Sequence, residues 1–284
     1  MPLQEYNKES HLNFDDLAGK TAVITGGGGV LCRSFAEAFL AVGTSVALLD
    51  IDGEKVAAAA AELGSDAIGV ECDVLSPGSL EAALQTVHDR LGPVDILVNG
   101  AGGNVPAATT ELEQLVNPAE LEKSFYGLDV KAFERAFDLN FIGTVLASQK
   151  LTVDMHERRQ GVIINISSMN AFKPLTRIPA YSAAKASVSN FTEWLAVHLA
   201  PVGIRVNAIA PGFFLTEQLR FLAFDEQGNL TPRYEKVIGK TAMGRLGDPD
   251  ELQGTLLFLA SRLSSFITGV VVPVDGGFNA SSGV

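Results

Sequence analysis

The chain has few of the residues that build disulfide frameworks, metal sites and nucleic-acid surfaces. Its 284 residues include only two cysteines, Cys32 and Cys72, and four dispersed histidines, so we expect neither a disulfide framework nor a metal site. Lysine and arginine number 21 against 33 acidic residues, giving a net charge of −12. That balance argues against nucleic acid as a partner, because binding a phosphate backbone depends on clustered basic side chains.

Signals for membranes and export are also absent from the sequence pattern. We find no apolar run of the ~18 residues that a membrane span requires, and residues 1–16 lack the charged-then-apolar layout of a signal peptide. We therefore expect a cytoplasmic protein without a membrane partner. Hydrophobic residues make up 47% of the chain, and α/β chains of ~250 residues commonly form one domain, so we predict a single domain over 1–284 with 1–16 as an extension.

Short β-branched runs alternate with longer amphipathic stretches along the chain. The predicted strands are Thr21–Thr25, Ser45–Asp50, Ala67–Cys72, Asp95–Asn99, Val162–Ser167, Arg205–Ala210 and Val270–Val274. The predicted helices cover 30–42, 53–63, 77–91, 129–157, 181–200 and 248–260. This alternation predicts an α/β fold, a Rossmann-type doubly wound sheet of seven parallel strands flanked by helices.

Two connections, 100–128 and 212–245, are longer than α/β loops usually are. Each follows a strand, and ligands of open α/β sheets bind beyond the carboxyl ends of the strands. We therefore predict that both are substrate-site loops, with surface elaboration as the alternative.

A glycine turn, TGGGG at 25–29, follows the first predicted strand and precedes a helix. Glycines allow close backbone approach to a pyrophosphate at a helix N-terminus, although a plain strand-to-helix turn would also explain them. Asp50 ends the next strand, where an acid can bind the adenine ribose 2′-hydroxyl and repel a 2′-phosphate. The glycine turn and Asp50 together favour NAD over NADP as the cofactor.

Two further strand ends carry polar residues on the same side of the predicted sheet. Asp73 follows the third strand and Asn99 ends the fourth, where the adenine and ribose of a cofactor would run. Each could also be only a turn former.

The segment NISSMNAFKPLTRIPAYSAAK, 165–185, carries the most specific pattern. Tyr181 and Lys185 are four residues apart on a predicted helix and so share one face. An ammonium near a phenol favours the phenolate, so we expect Lys185 to lower the pKa of Tyr181. Ser168, at the end of the fifth strand, can place a hydroxyl at the same point.

Taken together, these motifs resemble the short-chain dehydrogenase/reductase family from about residue 17 to the C-terminus. The matching segments are T-G at 25–26, D-V at 73–74, N-x-A-G at 99–102, Asn140 in DLNFIGT, Ser168, Tyr181, Lys185, RVNAIAPG at 205–212 and ITGVVVPVDGG at 267–277. The resemblance implies that Asn140, Ser168, Tyr181 and Lys185 are catalytic. It implies that cofactor binding involves Thr25, Gly26, Gly28, Gly29, Val30, Leu31, Asp50, Asp73, Val74, Asn99, Ala101, Gly102, Tyr181, Lys185, Pro211, Gly212, Phe214 and Thr216. It also implies a homotetramer.

The glycine turn departs from that family's pattern at two positions. Val30 and Cys32 stand where the later two glycines of TGxxxGxG fall. Cysteine is small enough to replace the glycine that packs helix on strand, whereas a valine side chain would crowd the pyrophosphate. Our hypothesis is that the amides of 27–29 take over the pyrophosphate contact.

The segments TGGGGVLC, NGAGGN, SSMNAF and PLTRIPAYSAAKA further resemble D-mannonate oxidoreductases of the short-chain type, also called fructuronate reductases. That implies NAD(H)-dependent interconversion of D-mannonate and D-fructuronate. Gluconate 5-dehydrogenase, another keto-sugar-acid reductase and a ketoacyl reductase share the catalytic motifs, and a non-catalytic NAD-binding protein is the remaining alternative class. Candidate substrate-binding residues are Asn104, Asn170, Lys173 and Arg177, with Arg220 and Arg233 as further cations in the second long loop.

Overall fold

The computed structural model describes residues 12–216 and 223–281, and its seven strands form one parallel sheet in the order β3-β2-β1-β4-β5-β6-β7. The strands are β1 Thr21–Thr25, β2 Ser45–Asp50, β3 Ala67–Glu71, β4 Ile96–Asn99, β5 Gly161–Ile166, β6 Ile204–Pro211 and β7 Val271–Val274. Every pairing is parallel. The predicted doubly wound sheet is confirmed, with each strand end within one residue of the predicted one.

Both faces of the sheet are covered, which explains the nearly continuous apolar strands. All residues of β1, β4 and β5 are buried. Successive side chains of a strand point to opposite faces. In β1, Ala22 and Ile24 therefore belong to one apolar core cluster, and Val23 belongs to the other.

Nine α-helices connect the strands within the described residues. They are α1 Val30–Ala41, α2 Gly53–Leu63, α3 Pro77–Leu91, α4 Val130–Phe137, α5 Gly143–Leu151, α6 Val153–Arg158, α7 Pro179–Leu199, α8 Pro232–Lys240 and α9 Gln253–Ala260. The Ser76 side chain accepts from the Ser79 amide at the start of α3. Asp248 and Glu251 form a capping box, but a 3₁₀ turn, Pro249–Leu252, precedes α9.

The prediction of one helix over 129–157 is wrong. A π-helical turn, Asp138–Ile142, separates α4 from α5, and Thr152 separates α5 from α6. The Asn140 side-chain amide donates to the carbonyl of Ala136 at 2.8 Å, the group that would accept the Asn140 backbone N–H in a regular α-helix. Competition for that carbonyl accounts for the interruption, which places the Asn140 side chain in the protein interior.

The two long connections lie beyond the carboxyl ends of β4 and β6 and contact each other. The first contains the 3₁₀ turns Pro106–Ala108, Pro118–Lys123 and Phe125–Gly127, and the described part of the second contains α8. The ammonium of Lys236 on α8 lies 3.2 Å from the Glu113 carboxylate in the first loop. The loops therefore stand together at the edge where the site residues gather.

Candidate active site

The glycine turn is required by close backbone contacts on both of its sides. Gly26 has a φ of +72°, and a Cβ there would lie 2.8 Å from the Cα of Ala101. A Cβ on Gly27 would lie 2.6 Å from the Cβ of Leu48. Neither position has room for a side chain, so the turn packs against β4 and β2.

The hypothesis that the backbone amides of residues 27–29 contact the pyrophosphate is wrong for this structure. Gly27 donates to the Leu49 carbonyl at 2.9 Å, Gly28 to the Asp50 carboxylate at 2.9 Å, and Gly29 to the Gly26 carbonyl at 3.0 Å. All three donors are used within the fold. The amides of Val30 and Leu31, in the first turn of α1, are the ones that a helix leaves for a ligand.

Val30 and Cys32 have separate local consequences. The Val30 side chain is 43% exposed and borders the cofactor cavity described below, so it lines that space and does not fill the turn. Cys32 is buried beneath Gly100, and its thiol lies 3.5 Å from the Thr25 carbonyl. Burial raises the pKa of the Cys32 thiol to about 12. Cys32 is therefore a small apolar packing residue between helix and strand, as its position predicts.

A cavity of about 520 Å³, the cofactor cavity, opens at the carboxyl ends of β1 to β4. It brings together many of the predicted cofactor residues: Gly26, Gly29, Val30, Leu31, Asp50, Asp73, Val74, Ala101, Gly102 and Thr216. Its wall of glycines, a helix N-terminus and a strand-end carboxylate suits an elongated dinucleotide with a central pyrophosphate. Ile51, Lys55, Cys72 and Leu139 also line it, and the sequence analysis missed them.

The other predicted cofactor residues do not line this cavity. The Thr25 hydroxyl accepts from the amides of Gly100 and Ala101 at 3.1 Å. Asn99 donates to Ser148 and Asn165. Thr25 and Asn99 therefore support the cavity wall from inside the protein and do not line the cavity. The amide of Gly28 holds Asp50. Pro211, Gly212 and Phe214 belong to the end of β6 and the loop after it, and Phe214 lines a separate cavity of about 350 Å³.

Asp50 is fixed by two backbone amides and lies near the aliphatic part of the Lys55 side chain. Its carboxylate accepts from Gly28 at 2.9 Å and from Asp52 at 3.1 Å. A Cβ built on Gly28 would lie 3.0 Å from the Asp50 carboxylate and 3.1 Å from Cδ of Lys55. Lys55 escaped the sequence analysis because it lies in the first turn of α2 and not directly after Asp50.

Ser168, Tyr181 and Lys185 converge where β5 ends and α7 begins. Lys185 is 3% exposed, its ammonium donates to the Ile166 carbonyl at 2.7 Å, and it lies 5.8 Å from the Tyr181 ring centroid. Burial lowers the pKa of Lys185 to about 8. Ser168 is 7% exposed, and its hydroxyl is the neighbour that lowers the pKa of Tyr181.

The expectation that Lys185 lowers the pKa of Tyr181 is wrong for this structure. Burial raises the pKa of Tyr181 above its ordinary value, and the hydrogen bond with Ser168 offsets this only in part. The ammonium of Lys185 is directed to a backbone carbonyl instead. The phenol is therefore held in its protonated form, the form that can donate a proton.

Asn140 joins this group through the strand-end glycines. Its carboxamide oxygen accepts from the Gly103 amide at 3.0 Å, and its nitrogen donates to the Gly103 carbonyl at 2.8 Å. A Cβ on Gly102 would meet Asn140 and would lie 3.2 Å from the Lys185 ammonium. The structure thus brings all four predicted catalytic residues together.

The predicted substrate-binding residues differ in how far the fold already uses them. Exposed Asn104 donates to the Thr109 hydroxyl at 3.0 Å. Lys173 donates to the carbonyls of Asn279 and Ser281 in the C-terminal segment. Nε of Arg177 donates to the Thr110 carbonyl at 2.8 Å, and its own carbonyl accepts from the Thr110 amide at 2.9 Å.

Three further positions complete this set. Asn170 is 5% exposed and lies two residues after Ser168. Arg233 lies on α8, and Arg220 lies outside the described residues.

Two general features bear on the kind of site. Among the residues that the structure describes, no helix has both the length and the apolar character needed to cross a membrane. Over 12–216 and 223–281, no three His, Cys, Asp or Glu side chains are grouped so that they could hold a metal ion.

A cavity of about 820 Å³, larger than the cofactor cavity, lies at the opposite, amino-terminal edge of the sheet, away from the predicted site residues. Its lining includes Asp95 and Arg205.

Comparison with known proteins decides the family. The family model described as enoyl-(acyl carrier protein) reductase matches residues 30–279. The chain belongs to the short-chain dehydrogenase/reductase family. It is therefore an oxidoreductase of that family, and the seven-stranded sheet is the fold that its solved relatives share.

Three relatives show how near the match is. The uncharacterized oxidoreductase UxuB of Bacillus subtilis is 49% identical over 274 residues, 95% of this chain and 98% of that protein. A crystal structure from Haemophilus influenzae, provisionally named a D-mannonate oxidoreductase and holding NAD, is 46% identical with a TM-score of 0.90, covering 95% of this chain and 99% of that one. The 2-dehydro-3-deoxy-D-gluconate 5-dehydrogenase of Formosa agariphila is 32% identical over 272 residues, 94% of this chain and 96% of that protein.

Proposed function

We propose that this short-chain dehydrogenase/reductase uses NAD(H) to interconvert a secondary alcohol and a ketone of a sugar acid, D-mannonate and D-fructuronate. The observation that carries the proposal is the convergence of Ser168, Tyr181 and Lys185 beside the cofactor cavity. The likeness to the NAD-holding Haemophilus structure and its provisional name supports the cofactor and the substrate. Cytoplasmic localisation belongs to the same proposal.

NAD is favoured over NADP by the charge at the end of β2. Asp50 is held by two amides, so its carboxylate cannot turn away without breaking the hydrogen bonds from Gly28 and Asp52. A fixed carboxylate accepts hydrogen bonds from a ribose diol and repels a 2′-phosphate. Lys55 reduces that repulsion but is exposed to solvent, where its charge is screened.

In the reducing direction the protein donates a proton to the substrate oxygen and holds that oxygen in place. NADH, when bound, supplies the hydride. Tyr181 donates its phenolic proton to the developing alkoxide, because burial keeps the phenol protonated. The Ser168 hydroxyl donates a hydrogen bond to the same oxygen and stabilises its charge.

Lys185 and Asn140 position this pair and connect it to the cofactor cavity. The ammonium of Lys185 lies against Gly102 on the cavity wall, where it would hold the ribose and share in resupplying the proton to Tyr181. Asn140 fixes the backbone of Gly103 through both ends of its carboxamide. This rigid support keeps donors and cavity in register.

We assign recognition of the substrate carboxylate to Arg177 before the other cations. Its Nε is fixed by the Thr110 carbonyl, which orients the two terminal guanidinium nitrogens and, within the described residues, leaves them for a bidentate contact. Lys173 is committed to the C-terminal segment. Asn104 and Asn170 are the candidates for substrate hydroxyls.

The test is NADH oxidation by the purified protein with D-fructuronate, D-tagaturonate, 5-ketogluconate and an acetoacetyl thioester. Turnover with D-fructuronate at a kcat/KM at least about tenfold above the other three supports the proposal. Preference for 5-ketogluconate would favour the second candidate, a gluconate 5-dehydrogenase, to which the likeness with the Formosa C5 dehydrogenase also points. Preference for the thioester, or no turnover, would reject a sugar-acid enzyme.

We propose further that the protein assembles as a homotetramer through α7. Trp194 is 57% and Val197 is 78% exposed on this helix, and Trp194 stacks between Phe191 and His198. An apolar aromatic surface of this kind is typical of protein interfaces. Light scattering should give four copies, and Trp194→Ser with Val197→Ser should yield smaller species.

A further inference from the structure

A buried asparagine, Asn170, lies two residues beyond Ser168. Asn170 sits in the 3₁₀ turn Met169–Ala171, is 5% exposed, and donates its backbone N–H to the Ser168 hydroxyl at 3.2 Å. Its backbone is therefore fixed to the hydroxyl that holds the reacting oxygen. Its Cβ therefore lies within about 6 Å of that hydroxyl.

The Asn170 carboxamide is left without a partner among the described residues. Its Oδ1 is buried and accepts no hydrogen bond, and its Nδ2 donates none to that part of the protein. The neighbouring Asn140 differs, because both ends of its carboxamide are bonded to Gly103. Folded proteins rarely leave a buried carbonyl oxygen unpaired, so such a group beside a catalytic residue indicates a ligand contact.

The chemistry of an amide restricts what that ligand group can be. A buried Oδ1 needs a proton donor, which neither a substrate carboxylate nor a methylene group provides. A hydroxyl provides one, and its oxygen can also accept from Nδ2. Both carbons next to the ketone of D-fructuronate carry hydroxyls.

We propose that Asn170 binds a hydroxyl on a carbon adjacent to the reacting carbon and thereby selects α-hydroxy ketones over plain ketones. This inference rests on the proposed function and names its specificity-determining residue. A site built to bond a hydroxyl discriminates strongly against an analogue without it, because the polar group of the protein is then left unpaired.

The test compares wild-type protein with Asn170→Leu, a change that keeps the number of side-chain heavy atoms and the backbone bond to Ser168. D-fructuronate and 5-ketogluconate are the hydroxylated substrates, and 5-oxohexanoate keeps the same ketone and carboxylate without hydroxyls. We expect the variant to lose about 10- to 100-fold in kcat/KM on the hydroxylated ketones and to stay within about threefold on 5-oxohexanoate. Asn190→Leu, at an exposed position of α7, is the matched control.

Two further readouts separate recognition from a structural role. The Kd for NADH should not change, and the Tm of Asn170→Leu should equal or exceed that of wild type, because an unpaired amide has been removed. Equal losses on all three ketones, or a Tm several degrees lower, would overturn the inference. The same is true if wild-type protein shows no preference for hydroxylated ketones.

A neutral pair of substrates keeps this inference distinct from the proposed function. If wild-type protein reduces hydroxyacetone far better than acetone but no sugar acid, the sugar-acid function fails and the role of Asn170 is read from that neutral ratio. If no hydroxylated ketone is reduced, both fail.

Discussion

Replacing Lys185 with methionine should change the pH dependence of stability in a direction that the structure specifies. The pKa of Lys185 is lowered by burial from 10.5 to about 8, so the fold disfavours its ammonium. At neutral pH that difference corresponds to about 3 kcal/mol of lost stability in wild-type protein. Lys185→Met removes this cost but leaves the Ile166 carbonyl unpaired, which costs about 1–3 kcal/mol at every pH.

The change of stability with pH therefore reports on the charge of Lys185 alone, because the cost of the unpaired Ile166 carbonyl does not depend on pH. Below about pH 8 the ammonium is present in both folded and unfolded chains and the full cost applies. As pH rises toward 10.5 the folded state loses its proton first, the unfolded chain binds more protons, and wild-type stability rises relative to the variant. Between pH 6.5 and 9.5 the relative gain for wild type should be about 2 kcal/mol.

The measurement is urea unfolding of cofactor-free protein, followed by Trp194 fluorescence at a fixed protein concentration. Fixed concentration matters because assembly contributes to apparent stability. Lys131→Met, at an exposed position of α4, controls for the loss of one lysine. A free-energy difference between wild type and Lys185→Met that stays constant to within about 0.5 kcal/mol over this range would refute the reasoning, as would a change of the opposite sign.

Three other substitutions test the site. Tyr181→Phe should lower kcat by about 10²- to 10⁴-fold with NADH binding intact, and near-wild-type turnover would remove Tyr181 as the proton donor. Asp50→Asn should improve kcat/KM with NADPH about tenfold by removing the fixed charge, and adding Lys55→Ala should cancel most of that gain; an unchanged NADPH rate in both would place the 2′-phosphate elsewhere. Arg177→Ala should raise KM for a sugar acid far more than for a neutral polyol, whereas equal effects would leave it only its bond to Thr110.

The sheet could be predicted because its signals are local. Strands such as β1 and β5 are buried at every position, so unbroken apolar runs reveal them without knowledge of their neighbours. The four candidate catalytic residues could be located because the family resemblance marks them. Their distances and protonation could not, because the pKa of Tyr181 depends on burial and on where the Lys185 ammonium is directed.

The features that the sequence did not predict depend on contacts between segments that are distant along the chain. The Gly28 amide is used by Asp50, which lies on another strand, so a glycine count cannot show which amides remain for a ligand. Lys55 reaches the cofactor cavity only because α2 begins directly beside the glycine turn. Asn170 had the right chemistry in the sequence, but only the structure shows that its carboxamide oxygen is buried and unpaired among the described residues.

The π-helical turn at Asn140 also keeps a series of buried residues closer to one side of the helical segment. Five buried residues of this region, Ala132, Ala136, Asn140, Thr144 and Ser148, recur every four positions. In a regular α-helix of 3.6 residues per turn each such step drifts by about 40°, and the last residue would face about 160° away from the first. A π-turn holds one residue more than an α-turn and takes back about 100° of that drift. Deleting one residue from this turn should therefore give a regular α-helix in which Ser148 keeps its angular position relative to Ala132, about 60° away.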